Sequence, residues 1–239
     1  MVLTLPGMDH DPDGPAAAAD LSARIAVATQ AVTATAADLT DAQAREPSRL
    51  PGWSRGHVLT HLARNADSLR NLLIWARTGV ETPQYASVDE REAGITEGAG
   101  RPAAELRADI EATGAEFAAE AASLRAGDWD ATVRGLRGAG HPAWYTLWRR
   151  LTEVEIHHVD LGAGYRPADW PPAFSGQLLA RLGVELQAPN VPRVTLHASG
   201  TGASYTVGQA EPGTGENEPD SPIKGPFRCH ASGALTVIL

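Results

Sequence analysis

The chain has 239 residues, of which 43% are hydrophobic and 21% charged, and its formal net charge is −9. This composition is ordinary for a globular protein, and no apolar run approaches the roughly 18 residues that a membrane span needs. The acidic balance argues against nucleic acid as a partner, because nucleic-acid binders carry a basic patch. A single cysteine, Cys229, excludes both a disulfide framework and a cysteine-rich metal site.

The first residues, MVLTLPGMDHDPDGPAAAAD at 1–20, predict a flexible N-terminus. They contain acidic residues and three prolines, whereas a signal peptide has a basic start followed by an unbroken apolar stretch. A cytoplasmic location is therefore expected, with neither membrane nor nucleic acid as a partner.

Apolar residues at helical spacing next predict four long helices. The second should be capped by Ser54 and end before Gly79, and prolines introduce the third and fourth. The predicted ranges are 21–44, 54–78, 102–125 and 143–163, with a long loop at 80–101. Because four such helices bury their apolar stripes most simply against one another, residues 21–166 are predicted to form a four-helix bundle.

After Pro167 the sequence pattern changes from long helices to shorter segments. A short helix is predicted at 173–187, followed by β segments at 193–198, 204–208, 227–230 and 234–239. Residues 209–226 are dense in Gly, Pro and acid, which is typical of a mobile surface loop. Residues 172–239 are thus expected to form a small α/β domain, and the whole chain to be of the α+β class.

Two helices carry side chains suited to a metal. His57 and His61 lie four residues apart on the second predicted helix, and Glu153 and His157 have the same spacing on the fourth, so each pair shares one helix face. Bundles build metal sites from ligands on facing helices, and two nitrogens with one carboxylate oxygen suit a divalent ion such as Zn²⁺.

The spacing alone leaves several alternatives open. His61 could be a hydrogen-bonded core residue, and Glu153 could pair with Arg149 or Arg150. Three protein ligands would leave an open, catalytic position, whereas a structural site would want a fourth ligand, for which His57 is the candidate.

Further polar residues near these pairs are weaker candidates. Asp160 could orient His157, although solvent exposure is favoured for it. His158 should face away from His157, because adjacent helical residues lie about 100° apart. His141 is expected at a helix start.

Two stretches carry a family resemblance: LPGWSRGHVLTHLARNADSLRNLLIWARTGVETPQY at 50–85 and RLTEVEIHHVDLGAGY at 150–165. In order and spacing, the chain resembles the mycothiol-dependent maleylpyruvate isomerase family of the DinB-like superfamily over about residues 20–190. The resemblance implies an N-terminal DinB-like four-helix bundle and a small C-terminal sterol-carrier-like domain. It also implies that His61, Glu153 and His157 bind zinc or another divalent metal, and that His57 is not a ligand.

The resemblance implies an activity as well: conversion of maleylpyruvate to fumarylpyruvate with the thiol mycothiol as cofactor. The metal-bound thiolate would add to the double bond, the adduct would rotate about the resulting single bond, and the thiolate would leave. The partners would be a small-molecule substrate and a low-molecular-weight thiol. Arg55 and Arg64 are candidates for binding the substrate carboxylates, and the catalytic residues are left unassigned.

The resemblance departs at the C-terminal end. The family continues into a helix and an arginine-bearing segment, which nothing up to Leu239 matches, so the C-terminal domain is either truncated or divergent. Arg228 precedes the corresponding strand and does not take over that arginine's role. Two alternatives therefore stay open: a mycothiol S-transferase acting on another electrophile, and a non-catalytic metal-binding regulatory module in which His57 completes the coordination.

Overall fold

The computed structural model describes residues 15–136 and 139–185, and the backbone of the short segments 194–197, 204–207, 228–230 and 234–236. The chain divides into two compact units, Met1–Arg166 and Pro167–Leu239. The predicted loop at 209–226, residues 1–14 of the predicted flexible N-terminus and the side chain of Cys229 lie outside the described residues. Within the described part, no helix is both long and apolar enough to cross a membrane.

The first unit is mostly helical. Its elements are α1 (Ala18–Ala37), α2 (Asp41–Arg45), α3 (Arg55–Thr78), α4 (Val88–Gly98), α5 (Ala103–Ser123), the antiparallel hairpin β1 (Thr132–Arg134) and β2 (Gly140–Pro142), and α6 (Tyr145–Asp160). Helix α3 packs against α5 and α6, and α1 packs against the same two helices. The apolar stripes of the four long helices form the core, which includes Leu21, Ile25, Val32, Leu62, Leu69, Leu73, Leu106, Ile110, Phe117, Leu147, Leu151 and Val154.

The described residues of the second unit form α7 (Pro172–Glu185) and four short strands, β3 (Val194–His197), β4 (Ser204–Val207), β5 (Arg228–His230) and β6 (Ala234–Thr236). β3 pairs with β4 and β5 with β6, both antiparallel. The helix and strands coincide with the segments predicted from the sequence to within a few residues. Their arrangement as a sterol-carrier-like domain stays a prediction.

Helix α3 has the two ends that the sequence predicts. The Ser54 hydroxyl accepts a hydrogen bond from the His57 backbone N–H, and the Ser54 backbone N–H donates to His57 Nδ1, which together form a capping box. At the other end, Gly79 has a φ of 72°, and its N–H donates to the Trp75 carbonyl. A left-handed residue at this position favours glycine and stops the helix.

The first predicted helix is divided, which corrects the expectation of one helix over 21–44. Helix α1 ends at Ala37, and α2 begins after Thr40. The Thr40 hydroxyl accepts from the Gln43 backbone N–H, while the Gln43 side chain accepts from the Thr40 N–H. This second capping box starts a new helix where apolar periodicity alone predicts a continuous one.

Helix α4 occupies the stretch predicted to be a loop at 80–101, which is a second correction. Ser87 caps it by accepting a hydrogen bond from the Glu90 N–H. Acidic residues in its first turn stabilise the helix by interacting with the positive end of the helix dipole. Ile95 is the buried residue of this helix. With so little apolar surface, α4 has almost none of the periodicity by which helices are detected.

Two glycines let α4 approach α3 closely. A Cβ atom at Gly56 of α3 would collide with the backbone carbonyl of Ala99, and one at Gly98 of α4 would collide with the Thr60 side chain. Both collisions would force a neighbouring group to shift. The distance between the two helices is therefore limited by backbone contact at Gly56 and by the Thr60 side chain at Gly98.

Candidate metal centre

His61, Glu153 and His157 converge between α3 and α6. The His61 Nε2 lies 2.9 Å from Glu153 Oε2, and the His157 Nε2 lies 3.3 Å from the same oxygen. The ligand atoms of the three residues all lie within 4.8 Å of one another. Both histidines are buried, whereas 23% of the Glu153 side chain is exposed, so Glu153 is the most exposed of the three side chains.

The charges of the cluster are strongly coupled. Burial raises the pKa of Glu153, but hydrogen bonds to His157 and His61 outweigh it and hold this pKa well below its usual value. Burial lowers the pKa of His157, yet Asp160 and Glu153 raise it to about 9. Burial also lowers the pKa of His61 and prevails over the attraction of Glu153. At neutral pH, the cluster thus holds an ionised Glu153, a protonated His157 and a neutral His61.

Asp160 orients His157. Its Oδ2 lies 2.9 Å from His157 Nδ1, and the residue is buried. The expectation that Asp160 is exposed to solvent is wrong, because the side chain lies over the preceding turn of α6, where its carboxylate reaches the imidazole. This hydrogen bond keeps a proton on Nδ1 and leaves Nε2 directed at Glu153.

His61 has a different neighbour behind it. Its Nδ1 lies 3.4 Å from Nη2 of Arg91, which belongs to α4. The Trp53 ring meets the His61 ring edge-on with centroids 5.6 Å apart. Sequence reasoning missed Arg91, since it falls in the stretch predicted to be a loop. The half-buried Trp53 ring lies against this site.

His57 lies outside the group of three that the described residues form. Its Nδ1 is engaged by Ser54 in the capping box, and its ring stacks on Trp53 at 6.0 Å. The structure therefore gives His57 a role at the start of α3.

The arginines named as alternatives have other partners. Arg150 donates to the Leu62 carbonyl and the Asn65 side chain, and Arg149 lies 3.2 Å from Gln84 Oε1, so neither shows an ion pair with Glu153 among the described contacts.

The two arginines considered for carboxylate binding are also engaged. Arg55 pairs with Glu46 and donates to the carbonyls of Leu161 and Gly162. Arg64 pairs with Asp67 at 3.2 Å and with Asp109 at 2.6 Å. The structure thus brings neither of them to the cluster.

The remaining histidines are placed apart from the cluster. His158 stacks on Tyr165 with ring centroids 3.8 Å apart and hydrogen-bonds Thr35 Oγ1, so it does face away from His157. His141 lies in β2 and not at the start of a helix. Burial lowers its pKa to about 4.

The donor set fits a divalent cation. Two imidazole nitrogens and one carboxylate oxygen form a common combination in catalytic zinc sites, which retain an open position for a further ligand. In such sites a carboxylate commonly accepts a hydrogen bond from the second nitrogen of a ligating histidine, and Asp160 is placed to do so for His157. Without a cation, the same atoms can only form the hydrogen-bonded, charge-coupled group described above.

Comparison with known proteins shows the family of the chain. Residues 25–162, more than half of the chain, match the family described as Mycothiol maleylpyruvate isomerase N-terminal domain. No curated protein sequence gives a significant match.

Two crystal structures resemble the chain over 81% of its length and 81% of theirs, at 28% sequence identity. One is a mycothiol-dependent maleylpyruvate isomerase, with a TM-score of 0.75. The other is a mutant of the mycothiol-dependent maleylpyruvate isomerase in which a histidine is replaced by alanine, with a TM-score of 0.76. The chain therefore belongs to the mycothiol maleylpyruvate isomerase family of enzymes.

Proposed function

We propose that the chain is a zinc- and mycothiol-dependent isomerase that converts maleylpyruvate to fumarylpyruvate. The observation that carries this proposal is the convergence of His61, Glu153 and His157, whose ligand atoms lie within 4.8 Å of one another, in a member of this enzyme family. These three residues would hold the metal.

The same proposal includes the fold predicted from the sequence. The contacts of α3 with α5 and α6, and of α1 with the same two helices, support a DinB-like four-helix bundle. In such a bundle, ligands on two facing helices point into a shared interior. The positions of His61 on α3 and of Glu153 and His157 on α6 support this proposal.

The residues of the site have separate tasks in this proposal. Glu153 supplies negative charge, since its pKa is held well below the usual value even though the group lies between buried histidines. Asp160 orients His157 through the 2.9 Å contact at Nδ1. Metal coordination at the open position would supply a Lewis-acid centre that favours the thiolate form of a thiol.

The proposed reaction is reversible addition of a thiol to the conjugated double bond of maleylpyruvate. Addition converts this bond to a single bond, rotation brings the carbon chain to the trans arrangement, and elimination returns the thiol. No net change in oxidation state or composition occurs. The substrate carries carboxylates, so the site needs a cation or other hydrogen-bond donors to hold them.

The direct test uses purified full-length protein loaded with zinc. With mycothiol and maleylpyruvate, we expect fumarylpyruvate to accumulate, and we expect His61→Ala to abolish this turnover. The reaction is followed by absorbance and by chromatographic separation of the two isomers. Transfer of mycothiol to another electrophile without isomerisation would replace the isomerase by the S-transferase.

A further inference from the structure

The two histidines of the cluster differ in what their second nitrogen meets. His157 Nδ1 has a carboxylate acceptor, Asp160, at 2.9 Å. His61 Nδ1 has the guanidinium of Arg91 at 3.4 Å, which is a donor. A histidine that ligates a metal through Nε2 carries its proton on Nδ1 and normally donates it to an oxygen. With a metal bound at Nε2, the Nδ1–H of His61 and the guanidinium of Arg91 would be two neighbouring hydrogen-bond donors. Among the described residues, no acceptor lies between them.

Arg91 is placed to receive an anion. It lines a pocket of about 460 Å³ between α3 and the segment around residues 82–94. Its side chain is 26% exposed, and its ion-pair partner is the adjacent, exposed Glu92, which contacts Nη1. The other terminal nitrogen, Nη2, is the one near His61, so a ligand bound at Nη2 does not displace the ion pair with Glu92.

Tyr85 lines the same pocket, and its hydroxyl lies near the side chains of Ser68 and Arg91. That oxygen is buried, and among the described residues it makes no hydrogen bond of full geometric quality. Burial raises the pKa of Tyr85, while the nearby Ser68 and Arg91 side chains lower it. A buried hydroxyl without a partner is costly, and a carboxylate oxygen bound by Arg91 would provide its acceptor.

The surrounding charge also favours an anion. Arg149 and Arg150 are both largely buried on α6, and their hydrogen-bond partners are neutral groups, among them Gln84 and Asn65. Nε and Nη2 of Arg150 have no partner among the described residues. Two acids, Asp67 and Glu90, also line the pocket, and Asp67 is paired with Arg64.

We propose that Arg91 and Tyr85 form the subsite that binds one carboxylate of the substrate beside His61, an inference that rests on the isomerase function proposed above. The fork of the guanidinium and the phenol hydroxyl donate to the carboxylate oxygens. The subsite fixes the end of the substrate next to the metal centre, and it explains why α4, which buries little apolar surface, packs over the cluster.

The test measures binding of maleate, a dicarboxylate that does not require turnover. Zinc-loaded wild type, Arg91→Ala, Tyr85→Phe and the control Arg107→Ala are compared by calorimetry, with zinc content measured for each. Arg107 is an exposed arginine of α5 with one long i,i+4 ion pair, so its removal changes the net charge equally. We expect Arg91→Ala to weaken maleate about tenfold or more and Tyr85→Phe about threefold, with Arg107→Ala unchanged.

Kinetics give a second readout on the same variants. For maleylpyruvate, we expect Arg91→Ala to raise KM about tenfold while kcat changes less, because a carboxylate contact is present in both the ground state and the transition state. Zinc content should equal that of wild type. Equal maleate affinity in wild type and Arg91→Ala, an equal loss in Arg107→Ala, or loss of zinc from Arg91→Ala would each overturn the subsite.

Failure of the proposed function has a different signature. Wild-type protein that binds maleate through Arg91 but does not isomerise maleylpyruvate would refute the isomerase and leave the carboxylate subsite standing. The subsite alone would be refuted if the wild-type protein isomerised maleylpyruvate and both Arg91→Ala and Tyr85→Phe had the same KM as wild type.

Discussion

The metal centre has two unlike sides. On the α6 side, Glu153, His157 and Asp160 lie within two turns of one helix, and the His157 ring contacts both carboxylates. On the α3 side, His61 is supported by Arg91 and Trp53, which come from α4 and from the segment before α3. One side is thus a local arrangement set by helix geometry, and the other exists only after distant segments pack. We infer that the second side, where Arg91 lies beside His61, admits the substrate, while His61 joins Glu153 and His157 as a proposed metal ligand.

The largest effect should follow from neutralising the carboxylate that both histidines share. In Glu153→Gln, the only negative ligand is lost, so we expect the zinc retained after dialysis to fall below about a tenth of that in wild type. Elemental analysis measures this directly. The exposed acid Glu111 of α5 provides the control, and Glu111→Gln should retain zinc fully. An unchanged zinc content in Glu153→Gln would refute the proposed metal site.

Asp160→Asn tests the α6 side one step further out. The amide no longer supplies the negative acceptor for His157 Nδ1, and zinc affinity should fall by roughly 10- to 100-fold. Competition with a chromophoric chelator measures the affinity. Arg91→Ala, on the other side, should leave it unchanged. Equal losses in both variants would erase the distinction between the two sides.

The protonation of His157 predicts a pH effect on metal binding. Its pKa in the metal-free protein is raised to about 9, so this imidazole is protonated at pH 7 and must lose its proton to become a ligand. We expect zinc binding at pH 7 to release about one proton, and the affinity to rise about tenfold per pH unit until pH approaches this pKa. Calorimetry in buffers of different ionisation enthalpy counts the protons.

The stability of the metal-free protein should show the opposite dependence. A raised pKa in the folded state means that His157 stabilises the fold most below its unfolded pKa of about 6.5, and that this contribution is lost as pH rises toward 9. Urea unfolding of metal-free protein at a series of pH values measures this loss. In Asp160→Asn the slope should shrink, and a slope as steep as in wild type would contradict the assignment to His157.

The smallest effect is expected for His57→Ala. The variant loses one half of the capping box of α3, which should lower the free energy of unfolding by about 0.5–1 kcal/mol. Zinc content should stay at the wild-type level, because His57 lies outside the ligand group. Denaturant unfolding and elemental analysis measure the two quantities. Loss of zinc from this variant would favour a four-ligand structural site and the regulatory-module reading.

The difference between the two sides also explains what the sequence could predict. Residues on one helix are related by fixed angles, so the spacing of Glu153 and His157 reports their proximity without any knowledge of tertiary structure. The capping residue Ser54 and the terminal Gly79 act through local backbone geometry and were predicted for the same reason. These features belong to the part of the fold that short sequence windows determine.

The features of the fold and the site that the sequence did not predict depend on interactions between elements or on capping that apolar spacing does not reveal. Helix α4 has weak periodicity and is held against α3 by close backbone approach, so no local pattern indicates that Arg91 lies at the site. Asp160 was expected to be exposed because acids usually are, whereas its burial follows from pairing with His157. The break between α1 and α2 depends on a capping box that apolar spacing does not register.

The glycines that seat α4 on α3 have a consequence for the evolution of this site. Because Gly56 and Gly98 set how near the two helices lie, a larger residue at either position would lift α4 and widen the space between Arg91 and His61. A descendant of this protein could thereby accept a bulkier substrate while every proposed metal ligand stayed the same. Divergence of specificity would then be recorded at two positions that touch neither metal nor substrate.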